Sequence, residues 1–275
     1  MTLPWRIGSL FSGIGGLELG LERGIGNART VWQVEAEPFC RHILERHWPD
    51  ARRHGDVRSV GAHTLERVDV MCGGFPCQDI SVAGLGAGID GARSGLWGEY
   101  ARLVRELRPR VVVVENVRAL LSRGLGRVLG DLAELGYDAE WEVRSAAAVG
   151  APHRRERLFI LAANADEPRR TELVQRHVVT PGGQQAPHGD DADGCAAPRA
   201  TPDVRDAGPD WRAPPSAIRR VDDGIFTGVD PTVGRYDRRR LRALGNAVVP
   251  QVAELVGRRV RELLERAGPV QWLVP

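Results

Sequence analysis

The 275-residue sequence predicts an α/β fold: a mostly parallel sheet with helices on both faces, carrying a small loop-rich insert. Three observations carry this prediction. Short apolar runs alternate with helical patterns through residues 1–163. The first run opens directly into a glycine-rich turn, Ser9-Leu-Phe-Ser-Gly-Ile-Gly-Gly16. From 164 to 239 the periodicity stops, and one amphipathic pattern then follows near the C-terminus.

The strand-forming runs are 6–10, 30–34, 68–72, 110–114 and 157–162, each bounded by turn residues or charge. Residues 139–145 alternate in polarity, which predicts a strand nearer an edge. Trp97, Tyr100, Leu103, Val104 and Leu107 recur at helical spacing and stop before Pro109. Val128, Leu129, Leu132 and Leu135 mark another helix, closed by Gly136. The stretch 181–194 has no hydrophobic periodicity and reads as loop. Trp211, Ile218, Val221, Ile225 and Phe226 supply too little apolar material for an independent core. Residues 250–267 form an amphipathic helix with Val252, Leu255, Val256, Val260, Leu263 and Leu264 on one side. The division expected is an α/β domain at 1–163, a small and partly flexible insert at 164–239, and a returning C-terminal segment at 240–275.

Composition narrows the function classes. Hydrophobic residues make up 42% and charged residues 27%, enough for a real core, and mean hydropathy is -0.27. The longest aliphatic stretch, the four valines at 111–114, is too short to span a bilayer. The opening Met1-Thr-Leu-Pro-Trp-Arg6 lacks the pattern of a signal peptide, so neither a membrane nor a secreted protein is expected. Net charge is +2, and all 38 basic residues are arginine, a fork donor suited to phosphate and base edges. The four cysteines, Cys40, Cys72, Cys77 and Cys195, form no C-x-x-C or zinc pattern. They point to a reducing cytoplasm, and each is either a buried hydrophobe or a nucleophile.

The chemistry-bearing residues sit at the ends of the strand runs. The glycine-rich turn admits a ligand to the backbone and to a helix N-terminus, or is a structural turn. Its G-x-G-x-x-G register, begun at Gly13, fails at Glu18, which disfavours a pyrophosphate. Glu35 lies about 20 residues on, where an acid holds ribose hydroxyls; a nucleoside without pyrophosphate fits better. The third run ends in Cys72-Gly-Gly-Phe-Pro-Cys77, which places Cys77 in a loop at a strand's carboxyl end, as a nucleophile or as a buried thiol. Glu115 leaves an apolar strand, so desolvation raises its pKa and suits it to proton transfer, unless it caps the next helix. Ala151-Pro-His-Arg-Arg-Glu-Arg157 adds a cationic cluster at the same edge, or a solvated surface.

Taken together, the sequence closely resembles the cytosine-5 DNA methyltransferase family. The resemblance rests on Phe11-Ser-Gly-Ile-Gly-Gly16, Gly74-Phe-Pro-Cys-Gln78, Glu115-Asn-Val117 and His153-Arg-Arg-Glu-Arg157, in the family's order, with Leu244-Gly-Asn-Ala-Val248 near the C-terminus. It covers residues 6–163 and 240–266. It implies a Rossmann-like sheet that binds S-adenosylmethionine, with double-stranded DNA as substrate, no membrane association and a monomeric state, and it is compatible with a restriction endonuclease partner.

By the same resemblance, Cys77 is the nucleophile that attacks C6 of a flipped cytosine, and Glu115 contacts N3 and the exocyclic amine. Arg155 and Arg157 match the arginines that orient the base and Glu115. Phe11, Gly13, Ile14, Gly15, Gly16 and Glu35 match the cofactor site, Phe11 at the adenine and Glu35 at the ribose. Asp56 and Val57 match the adenine-edge contact, and Pro76 lies beside the methyl end. Leu96, Asn246 and Ala247 complete the pocket, and the glycine-rich stretch 84–95 resembles the family's closing loop.

Three departures are visible. Ser9 stands where many members have aspartate, His153 replaces a common glutamine, and the arginine-rich motif that supports target recognition is not found. Catalysis therefore reads as intact and sequence recognition as abbreviated. Arg212, Arg219, Arg220, Arg235 and Arg238 to Arg240 are candidates for DNA contact or for a solvated surface. The alternatives to DNA methylation are an RNA-directed cytosine-5 methyltransferase and a catalytically impaired DNA-binding remnant. A dinucleotide oxidoreductase is disfavoured by the glycine mismatch.

Overall fold

The computed structural model describes residues 3–76, 96–165 and 238–267, with backbone alone at 238–241 and 267. Cys77, the stretch 84–95, Cys195 and nearly all of the insert, including Arg212, Arg219, Arg220 and Arg235, lie outside the described residues.

A seven-stranded sheet runs in the order β3-β2-β1-β4-β5-β7-β6. Its strands are β1 (Trp5–Leu10), β2 (Ala28–Val34), β3 (Arg52–His54), β4 (Val70–Gly73), β5 (Val111–Val117), β6 (Tyr137–Ser145) and β7 (Glu156–Asn164). Pairing is parallel from β3 across to β5, and β7 is antiparallel to both β5 and β6. The alternating strand, β6, is one edge, and β3 is the other. β3 has no counterpart among the apolar runs: it is three polar residues, Arg52, Arg53 and His54, paired only with β2.

Helices α1 (Gly16–Ile25), α2 (Pro38–His47), α3 (Leu96–Leu107), α4 (Leu120–Arg123), α5 (Leu125–Glu134), α6 (Arg238–Asn246) and α7 (Pro250–Ala267) connect and cover the strands. Among the described residues no helix is long and apolar enough to cross a membrane.

Strand alternation sorts the core into two layers. Val112 and Val114 of β5 face Trp97, Tyr100, Leu103, Val104 and Leu107 of α3 and Val128 and Leu132 of α5. Val111 and Val113 face the other way, onto Leu17, Leu21 and Ile25 of α1 and Val252, Val256 and Val260 of α7. A central strand buried on both sides has no polar face, which is why β5 opens on four valines.

The two helices of the second layer meet through glycine. Gly16, Gly20 and Gly24 recur every four residues and share one face of α1. A Cβ at Gly20 would strike Pro250 O and Ala253 Cβ, and one at Gly24 would strike Glu254 O and lie 2.7 Å from Gly257 Cα. One at Gly16 would strike Val248 O. Backbone therefore packs against backbone, and this seam seats the α6–α7 junction beside the β1–α1 turn.

Candidate active site

The carboxyl ends of β1, β2, β4 and β5 open onto a cavity of about 900 Å³, the expected ligand position in a parallel α/β sheet. The first wall is the β1–α1 turn. Phe11, Gly13 and Gly15 have φ of 54°, 56° and 89°. Gly13 and Gly15 adopt these freely; Phe11 does so under strain, which the surrounding fold must hold. The Ser12 N–H donates to Val34 O at 3.2 Å, fastening the turn to β2.

Glu35 ties the turn to the second wall. Its Oε2 accepts the Gly13 N–H at 2.7 Å and its Oε1 accepts the Glu37 N–H at 2.8 Å. Burial pushes its carboxyl up from the ordinary value, and these two N–H donors offset part of that. Each carboxylate oxygen retains acceptor capacity for a hydroxyl in the cavity. Asp56 and Val57 sit at the third strand's exit, where Asp56 Oδ1 accepts the Arg58 N–H at 3.0 Å. Arg102 of α3 fixes that turn from behind, donating to Val57 O at 3.1 Å and Val60 O at 2.9 Å.

The β4 exit, Gly73-Gly-Phe-Pro76, is set by close packing. Gly73 lies against Leu10 O, and a Cβ at Gly74 would come within 2.6 Å of Glu115 Oε2. Phe75 is buried against Trp97, with ring centroids 5.4 Å apart. Asn116 Nδ2 donates to Phe75 O at 3.1 Å, while its Oδ1 accepts the Val117 N–H at 2.8 Å. The segment that leads to Cys77 is thus pinned up to Pro76.

Glu115 is 7% exposed and pairs with Arg157, Nε to Oε1 at 3.0 Å. Burial raises its pKa, and Arg157 and then Arg155 oppose the rise. Arg155 does not border the cavity. Its guanidinium donates to Gly245 O at 2.9 Å and to Ala247 O, so it binds the α6–α7 junction that brings Asn246 and Ala247 to the cavity.

The structure brings Glu115, Arg157, Phe11, Gly13, Gly16, Glu35, Asp56, Val57, Pro76, Leu96, Asn246 and Ala247 to this one cavity. Ile14 and Gly15 stand behind it: Ile14 is buried with Cys40, Ile43, Ala243 and Ala247, and Gly15 packs on the Trp48 ring. Sequence reasoning gave no role to Asn116, although it lies inside a quoted motif. It also missed Glu18, seen there only as a glycine mismatch, and Arg242, which carries no sequence signal; both border the cavity. Cys40 borders it too, but burial, reinforced by Glu35 and Glu37, pushes its thiol up to about 12, which leaves it inert. Cys72 is fully buried in β4. Among the described residues no group of three His, Cys, Asp or Glu side chains could hold a metal ion.

A model of the C-5 cytosine-specific DNA methylase family matches residues 5–201. The Type II methyltransferase M2.BsuMI of Bacillus subtilis is 34% identical over 180 residues, 62% of this chain and 45% of that protein. M.HhaI of Haemophilus parahaemolyticus is 33% identical over 165 residues, 58% of this chain and 50% of that protein. The chain thus spans about half the length of the curated relatives it matches. Among solved structures, a DNA modification methyltransferase encoded within an E. coli prophage aligns with a TM-score of 0.50 at 26% identity, over 59% of this chain and 47% of that one. The Entamoeba histolytica methyltransferase EhMeth has the same fold, with a TM-score of 0.53 at 18% identity over 64% of this chain and 58% of that one. The sheet is Rossmann-like, and with residues 5–201 matched the chain belongs to the C-5 cytosine-specific DNA methylase family.

Proposed function

We propose that this protein methylates C5 of cytosine in double-stranded DNA, with S-adenosylmethionine as donor and Cys77 as covalent nucleophile. The observation that carries the reading is the buried Glu115–Arg157 pair beside the pinned segment ending at Pro76, which Cys77 follows in the chain. A cavity large enough for the whole donor, two walls joined through Glu35, and open space beside the Gly13 Cα fit S-adenosylmethionine.

Phe11 and Val57 would flank the adenine, Glu35 would accept the ribose hydroxyls, and Pro76, Leu96, Asn246 and Ala247 would close the pocket. When bound, S-adenosylmethionine supplies an electrophilic methyl group. The Cys77 thiolate adds to C6 of a cytosine turned out of the duplex, which makes C5 nucleophilic. Glu115, held with a raised pKa, hydrogen-bonds N3 and the exocyclic amine and balances the charge that develops there. Arg157 holds the Glu115 carboxylate in place, and Arg155 acts by fixing the α6–α7 junction. C5 would then accept that methyl group, with S-adenosylhomocysteine as the leaving group, and transfer of the C5 proton to a base with expulsion of the Cys77 thiolate would restore the C5–C6 double bond. The Type II names of the relatives favour a restriction-modification setting, with an endonuclease of the same target sequence as partner, and we place the protein in the cytoplasm with the DNA it would modify.

The test is expression in a host without cytosine methylation, followed by bisulfite sequencing of that host's DNA, with Cys77→Ala in parallel. Protected cytosines at a common site, absent in the variant, are expected. Protection that survives in C77A overturns the nucleophile assignment. Methyl transfer to tRNA but not to duplex DNA overturns the substrate assignment.

A further inference from the structure

Glu18 is a carboxylic acid whose burial outweighs the help it draws from the Ser9 and Ser12 hydroxyls and its own backbone N–H. It is 0% exposed in the first turn of α1, and it borders the cavity. Neither carboxyl oxygen has a hydrogen-bond partner. Among the described residues no cation pairs with it. The Ser9 and Ser12 hydroxyls lie close enough to lower its pKa, yet they bond to each other, Ser12 Oγ to Ser9 Oγ at 3.0 Å. The contrast with the next turn is sharp: Glu22 Oε1 accepts the Thr30 N–H at 2.7 Å and the Trp48 Nε1–H at 3.0 Å. An unpaired buried carboxyl costs stability, so its retention calls for a charge that arrives from outside.

What surrounds it defines that charge. Ser9 and Ser12 border the cavity beside Glu18. The N-terminus of α1 carries no side-chain cap, so its first-turn N–H groups face the same wall without intrahelical partners. An anion-accepting helix end beside a buried carboxylate complements a zwitterion, the α-amino acid group.

We propose that Glu18 is the counter-charge for the ammonium of the amino-acid end of S-adenosylmethionine, acting beside the Ser9–Ser12 hydroxyl pair. It is a positioning residue rather than a catalytic one. This inference rests on the donor assignment above.

The experiment is equilibrium binding of two stable probes, S-adenosylhomocysteine and 5′-methylthioadenosine, which lacks the amino-acid end, to the wild type, Glu18→Gln and Glu18→Asp. For E18Q, S-adenosylhomocysteine is expected to bind on the order of 10- to 100-fold more weakly, with 5′-methylthioadenosine changed by less than about 2-fold. E18D keeps the charge and recovers a large part of the difference. Equal losses for both probes, or none, overturn the proposal while the donor assignment stands. A wild type that binds neither probe overturns the donor assignment, and this proposal with it. E18Q that melts below the wild type at pH 8 without ligand points to a structural role and also overturns it.

Discussion

Arg157 Nε lies 3.0 Å from Glu115 Oε1, and the two residues sit diagonally on neighbouring antiparallel strands, Glu115 opposite Phe159 and Val117 opposite Arg157. The ion pair is therefore fixed by sheet register, not by loop conformation. Burial raises the Glu115 pKa and Arg157 limits the rise. A folded-state pKa above the unfolded one gives stability that is fullest below the ordinary carboxyl range and falls as pH rises through the folded value. Arg157→Ala removes the main offset, so its urea midpoint should drop more between pH 5.5 and pH 8 than that of the wild type. Parallel declines would contradict this. Glu115→Gln should lower methyl transfer by about 10²- to 10⁴-fold.

Glu18 makes a stronger pH prediction. Its pKa is raised from 4.5 to about 7, mainly by burial, with Glu22 adding to the rise and with Cys72 close enough to feel its charge. The unliganded fold is thus most stable with respect to this group below pH 4.5, and it loses stability until the pH passes about 7. The loss amounts to about 3 kcal/mol. E18Q, isosteric and uncharged, should match the wild type in acid and exceed it in unfolding free energy at pH 8. Denaturant curves at the two pH values measure the difference.

Glu35 should behave otherwise. It accepts two backbone N–H groups, from Gly13 and Glu37, so Glu35→Ala removes both bonds, leaves the part-buried Gly13 donor unmet and costs about 1–3 kcal/mol. On the proposed ribose role, E35A should weaken 5′-methylthioadenosine as much as S-adenosylhomocysteine, by about 10-fold or more. Selective loss of one probe would argue against that role.

The glycines divide into two kinds that one measurement separates. Gly20→Ala places a Cβ against Pro250 O and Ala253 and should destabilise by about 1–3 kcal/mol. Gly130, in α5, has no atom within 4 Å of the added carbon. Gly130→Ala should therefore stabilise by about 0.5–1 kcal/mol. Chemical unfolding of the two single variants reads both signs.

The strands that sequence reveals are those whose burial shows in composition. β5, buried on both faces, begins as four valines, while β3 is Arg-Arg-His, and nothing local marks it as a strand. Helix α2 was also hidden, because only Cys40, Ile43 and Leu44 of its ten residues are buried. In the site, Glu35 and Glu115 are legible because an acid at the end of an apolar strand is unusual. Glu18 is not, since an acid in a first helical turn is common, and only its place against Ser9, Ser12 and Cys72 in the folded chain makes it a buried one. The packing of α7 on α1 explains Gly20 and Gly24, whose spacing in sequence suggests only a flexible turn.

That packing also has a consequence in time. Helix α1 emerges early in synthesis and its partner α7 more than 200 residues later. At 5–20 residues per second, roughly 10–50 s separate the two helices, and Ile7, then Val70, Val113 and Phe159 as each is made, lack the cover of α7 until it arrives. Until then Asn246 and Ala247 are absent from the cavity wall as well, so the nascent chain can neither bury its second apolar layer nor finish its pocket. Slowing translation after α1 should therefore lengthen its dependence on chaperones.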